Sequence, residues 1–264
     1  MRRLLLLTFC LLPLFAACVP QPLAVTREPV TLRLVTADSC EPLAEALAAA
    51  YEESHPWVTA LSETYNAALA EQVLREGGAD LALLSWIDAE GNDELWIRPF
   101  ANDGIAVIAH PSTPFTEIGL GLLQEIYRGR VQEWEGMVLA VVSREDGSGT
   151  RAAFEAAVLQ GRDVTLTSVV MVSSKATVEY VASTPGSIGY VSTLRLEDPA
   201  ATGVQVLPIE GIRPTQASIE DKTYPLTRSL QLATVGEPTG EAREFAQWVL
   251  GPEGQGVVGR SANR

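Results

Sequence analysis

The residue types best suited to chemistry stand together at Arg144-Glu145-Asp146-Gly147-Ser148-Gly149-Thr150-Arg151. An apolar run, Val138 to Val142, precedes them and predicts a buried strand, and Ala152 to Leu159 follow with the pattern of a helix. A strand, a glycine turn and a helix start place Ser148, Gly149 and Thr150 where backbone N–H groups are unpaired and the helix dipole is positive, which suits an oxyanion. Glycines at 147 and 149 let the backbone approach a ligand closely, the two hydroxyls add donors, and Arg144 offers a planar fork matched to two oxygens. The same turn would equally serve as an ordinary capped helix start, since Ser and Thr are favoured N-caps.

The elements that must hold this turn read as strands alternating with helices. Thr31 to Thr36 alternates as a first strand, and the following helix repeats Leu43, Ala46, Leu47, Ala50 and Tyr51 on one side, with Ser39 placed as its N-cap and Pro42 in its first turn. Trp57 to Leu61 reads as a strand, Ala67 to Arg75 as a helix capped by Asn66, and Asp80 to Ser85 as a buried parallel strand. The α/β pattern predicts ligands beyond the carboxyl ends of the strands, and those ends carry Asp38, Ser39, Asn66 and Ser85. Further strands are expected at Gly104 to Ala109, Val164 to Val172, Ser187 to Val191, Val204 to Pro208 and Leu226 to Ala233. Helices are expected at Gly119 to Tyr127, at Lys175 to Ser183 with Ser174 as cap, and at Glu241 to Leu250.

The 264 residues suffice for one large domain or two lobes, and 47% of them are hydrophobic, enough for a sizeable core. A net charge of −14 argues against nucleic acid or anionic lipid as a partner of the folded surface. Met1-Arg2-Arg3, the apolar run Leu4 to Phe15 and the small pair Ala16-Ala17 make a secretory signal, too short to span a membrane comfortably. Leu14-Phe15-Ala16-Ala17-Cys18 resembles a bacterial lipobox, which implies that Cys18 becomes the lipid-bearing first residue of an exported, membrane-anchored protein. Only Cys40 then remains as a thiol, so no intrachain disulfide is available. Val19 to Pro29, with three prolines, reads as a tether.

A hydrolase reading of Ser148 lacks support. The two histidines both precede proline, at His55-Pro56 and His110-Pro111, and Asp146 stands where a nucleophile elbow needs its first glycine. The lysine of a nucleotide P-loop is missing, and Cys40 and the histidines have no metal-ligand spacing, so no enzyme activity, cofactor or metal is expected.

Several stretches together resemble the periplasmic phosphate-binding proteins that feed the phosphate ABC importer. They are Arg144 to Arg151 with Phe154, Phe100 to Val107, Ile126 to Trp134, Pro185 to Val191, Tyr224 to Arg228 and Gly254-Gln255, in that family's order when read along the chain. The resemblance implies an α/β, two-lobed Venus-flytrap fold with phosphate in the cleft, monomeric, and an ABC permease as partner. It divides the chain into a signal at 1–17, a tether at 18–30, lobe 1 at 31–102 and 196–264, and lobe 2 at 103–195. Arg144, Ser148, Gly149 and Thr150 carry over as ligand residues, Asp38, Ser39 and Asn66 are the first-lobe counterparts, and Asp146 is expected to orient Arg144. Ser85 falls where the family uses an aspartate to accept a phosphate proton, and Asp38 is the residue that could take over that role. These first-lobe departures leave sulfate, molybdate, tungstate or a phosphorylated organic compound as the alternative ligands.

Overall fold

The computed structural model describes residues 27–88, 92–196 and 199–262. The signal, the lipidation position Cys18 and most of the tether therefore lie outside the described residues. Five units open the chain: β1 (Val30–Ala37), α1 (Glu41–Ser54), β2 (Val58–Tyr65), α2 (Ala67–Arg75) and β3 (Leu81–Leu84). They are followed by β4 (Leu95–Ala109), α3 (Leu120–Tyr127), a short hairpin of β5 (Glu133–Trp134) and β6 (Met137–Val138), β7 (Ala140–Arg144), α4 (Gly149–Val158), β8 (Val169–Met171), α5 (Ser174–Ser183) and β9 (Ser187–Ser192). The chain closes with β10 (Gln205–Leu207), α6 (Gln216–Glu220), β11 (Thr227–Val235), α7 (Gly240–Leu250) and α8 (Pro252–Ala262).

Among the described residues the main sheet runs β2-β1-β3-β11-β4-β9-β7-β8, with β10 added beside β4. Its two halves share β4, which pairs with β11 from Leu95 to Gly104 and with β9 from Ile105 to Ala109. The parallel pairs β1–β2, β1–β3, β7–β8 and β7–β9 are joined through helices, as the α/β pattern requires. Each half buries its own core. Leu34, Leu47, Tyr51, Phe100, Leu232 and Phe245 pack in one, and Val107, Ile126, Phe154, Tyr190, Leu207 and Tyr224 in the other. The fold is thus a mixed α/β sheet in two halves, flanked by helices. No described helix is long and apolar enough to cross a membrane.

Local expectations hold where one sequence feature decides them. Asn66 caps α2, its Oδ1 accepting from the Leu69 N–H at 2.9 Å. They fail where a neighbour intervenes. Ser39 does not cap α1, because a 3-10 turn over Asp38–Cys40 runs straight into the helix and leaves Cys40 at the cap. Ser173 rather than Ser174 caps α5, accepting from Ala176 N–H and leaving Ser174 as the first helical residue. Val138 belongs to the hairpin and not to β7, and the expected strand at 164–172 contracts to an edge strand of three residues.

Candidate functional site

The anion turn is assembled as its residue types dictate. β7 ends at Arg144, the Ser148 N–H closes a turn on the Glu145 carbonyl at 3.2 Å, and Gly147 adopts φ +84, a conformation that side chains resist. Ser148 then caps α4, its Oγ accepting from the Arg151 N–H at 3.4 Å. The N–H groups of Gly149 and Thr150 have no protein acceptor among the described residues, as the first turn of a helix leaves them. Behind the turn, Phe154 of α4 stacks flat on Tyr190 of β9 at 4.1 Å and leans on Tyr127 of α3. Burial pushes the Tyr190 hydroxyl up to about 12, so it stays protonated and bonds the Ser143 hydroxyl at 2.8 Å.

Ten residues meet around a small, tight pocket where the two halves of the sheet come together. They are Asp38, Ser39, Asn66, Ser85, Arg144, Ser148, Gly149 and Thr150, the eight positions selected from sequence, together with Ala37 and Ala67. The strand ends converge as α/β topology requires: β1 delivers Asp38 and Ser39, β2 leads to Asn66, β3 to Ser85 and β7 to Arg144.

Arg144 is fully buried, and four of its five N–H donors are spent. Nε and Nη2 clasp the Glu145 carboxylate at 2.9 and 3.0 Å, while Nη1 reaches Asp38 Oδ2 at 2.9 Å and Ser174 Oγ at 2.8 Å. One Nη2 hydrogen is left. The expected orienting role of Asp146 is corrected: its side chain is exposed and pairs with Arg151, because the turn at Gly147 swings it away from Arg144. The Asp38 carboxylate crosses to the second half of the sheet, where it accepts from the Ser174 N–H at the start of α5 as well as from Arg144. Arg195 secures the same loop, donating to the Asp38 carbonyl at 2.6 Å and to Glu41.

Ser85 is buried and its Oγ has no hydrogen-bond partner among the described residues. The other two buried polar atoms in that condition, Trp57 Nε1 and Arg195 Nε, belong to residues outside the cavity lining. An orphaned hydroxyl and two unpaired helix N–H groups beside a buried arginine suit a small ligand rich in acceptors. Neither histidine lines the cavity. His55 stacks on Tyr51 at 3.9 Å and His110 bonds Ser112 at 2.7 Å.

Sequence reading missed Glu145, Ser174 and Arg195. It placed the lobe boundary at Asp103 but gave neither that side chain nor Arg228 a part in the site, although both stand in motifs it singled out. Arg228 carried a usable signal: it occupies the buried face of β11, in period with Leu230 and Leu232, and an arginine there demands a carboxylate partner.

A family model described as the PBP superfamily domain matches residues 24–253. The phosphate-binding protein PstS of Bacillus subtilis is 30% identical over 151 residues, 55% of this chain and 49% of that one. The chain spans about half the length of that curated relative and of PstS 2 from Streptococcus agalactiae, also 30% identical over 151 residues. A phosphate ABC transporter substrate-binding protein from Clostridium perfringens, solved with bound phosphate, superposes with a TM-score of 0.80 at 26% identity, over 88% of this chain and 98% of that one. An ABC-type phosphate transport receptor from Vibrio cholerae superposes with a TM-score of 0.72 at 24% identity, over 87% and 98% of the two chains.

Proposed function

The chain belongs to the PBP superfamily, and from that premise we propose that it is an extracytoplasmic solute-binding protein that holds inorganic phosphate in the cavity between its halves and delivers it to an ABC import permease. The observation that carries the reading is the buried, unpartnered Ser85 hydroxyl facing a cavity that also receives the free helix N–H groups of Gly149 and Thr150. In this reading Arg144, Ser148, Gly149 and Thr150 supply donors from one side, and Asp38, Ser39, Asn66 and Ser85 complete the shell from the other. The role is binding and not catalysis. The core that Leu207, Ile209, Tyr224 and Leu226 share with Ile105 and Tyr190 supports a second lobe that reaches to about residue 226, beyond the 103–195 expected from sequence. Cys18 carries the lipid that tethers the monomer to the membrane.

Calorimetric titration of the purified protein with phosphate, sulfate, molybdate and tungstate, at fixed pH and salt, tests the ligand. Saturable heat with phosphate is expected; heat with sulfate and none with phosphate would overturn the assignment. Arg144→Ala is expected to weaken phosphate binding at least tenfold, about 1.4 kcal/mol, and an unaltered affinity would remove the arginine from the site.

A further inference from the structure

Behind the anion turn lies a second buried arginine that local sequence gives no reason to connect with it. Arg228 of β11 donates from Nε and Nη2 to Asp103 Oδ2 at 3.0 and 2.8 Å, and from Nη1 to Thr150 Oγ1 at 3.2 Å. All three residues are buried, with Asp103 and Thr150 at 1% exposure. Asp103 is held in turn by Thr193, whose N–H and Oγ both donate to Oδ1 at 3.2 and 2.7 Å. The Thr193 oxygen then accepts from the Gly104 N–H at 3.2 Å, at the residue where β4 changes partner from β11 to β9.

The chemistry of the donors decides what this does to Thr150. A guanidinium has no acceptor, so the contact with Arg228 fixes the Thr150 oxygen as the acceptor. The single hydroxyl proton of Thr150 must then be given to something else, and no other protein atom among the described residues bonds it. Thr150 lines the cavity. Without Arg228 the hydroxyl could turn its oxygen toward the cavity, where an anion would be repelled.

We propose that Arg228 is a positioning residue of the anion site: by donating to Thr150 Oγ1 it commits that hydroxyl to act as a donor toward an unprotonated ligand oxygen, and Asp103 with Thr193 locks the arginine to the junction of the two halves. The inference rests on reading the cavity as an oxyanion site. Arg228 itself is not among the residues that line the cavity. Its effect passes through Thr150, and the two side chains form one functional unit.

A double-mutant cycle read by calorimetric phosphate titration tests this. Thr150→Val and Arg228→Met are each expected to weaken binding about tenfold, and the double variant to bind no more weakly than Thr150→Val alone. Arg228→Lys, which still donates, is expected to stay within about threefold of the unsubstituted protein. Losing the cation leaves Asp103 buried and unpaired, so the cycle is repeated in Asp103→Asn/Arg228→Met, where neither charge remains. A double variant about a hundredfold weaker, the product of the single losses, would overturn the positioning role, as would an Arg228→Met protein of undiminished affinity. If the unsubstituted protein takes up neither phosphate nor sulfate, the oxyanion reading itself falls and the role of Arg228 with it.

Discussion

Ser85 is the residue whose energetics separate a binding role from a structural one. A buried hydroxyl without a partner costs about 1–3 kcal/mol, and in this chain that cost is borne beside the anion turn. Ser85→Ala removes the unsatisfied group, so the ligand-free protein is expected to unfold at an equal or higher urea concentration. The same change removes a ligand donor worth about 1 kcal/mol, so phosphate affinity is expected to fall by five- to tenfold. Stability and affinity moving in opposite directions, measured by urea unfolding and calorimetry on one preparation, is the signature of a site built for a guest. A variant that loses stability and keeps its affinity would mark Ser85 as a packing residue.

At the scale of elements, β1 and β3 lead to Asp38 and Ser85 at their far ends and are stapled together by Arg33 and Asp80 where their pairing begins. Asp80 accepts from the Arg33 backbone N–H at 2.8 Å and from its Nη2 at 2.6 Å. Burial alone would raise the Asp80 pKa, but the hydrogen bonds and charge of Arg33 outweigh it and hold the carboxyl below its usual value. A depressed folded-state pKa contributes stability above the unfolded value, near 3.9, and that stability is lost as pH falls through the folded value. Asp80→Asn is therefore expected to cost under about 1 kcal/mol near neutral pH, with the gap to the unsubstituted protein closing below about pH 4 in urea unfolding. A gap independent of pH would exclude the ion pair as its source. The elements themselves were largely legible: hydrophobic period placed β1, α1, α2, β3 and α7, and a single side chain fixed the α2 cap at Asn66. The partners of the arginines were not. Arg144 and Asp146 would share a side in an extended chain, but the turn at Gly147 breaks that period and Glu145 takes the contact. The Asp38–Arg144 and Asp103–Arg228 pairs join residues 106 and 125 positions apart, a distance at which local pattern carries no information.

Over the whole molecule, what matters is that the two halves meet through backbone and not only through long side chains. The Ala68 N–H donates to the Gly147 carbonyl at 3.0 Å, and the Gly149 backbone lies against Ser85, Ala67 and Trp86. A Cβ on Gly149 would stand 2.4 Å from Ser85 Oγ, 2.9 Å from Ala67 Cβ and 3.1 Å from Trp86 Cβ. Ser85 could rotate aside, but the Ala67 methyl group cannot, so one added carbon is incompatible with this closed arrangement. The helix itself would tolerate the change, because Gly149 is its first residue and does not adopt the positive φ that alanine resists. Gly149→Ala is thus expected to leave the unfolding temperature of the ligand-free protein within a few degrees while weakening phosphate binding at least tenfold, about 1.4 kcal/mol. In a flytrap fold the halves close around the ligand, so small-angle scattering should show the radius of gyration shrinking on phosphate addition in the unsubstituted protein and staying at its ligand-free value in the variant. A variant that compacts and binds normally would mean that Gly149 is spared by relaxation of the turn, and that closure does not depend on this contact.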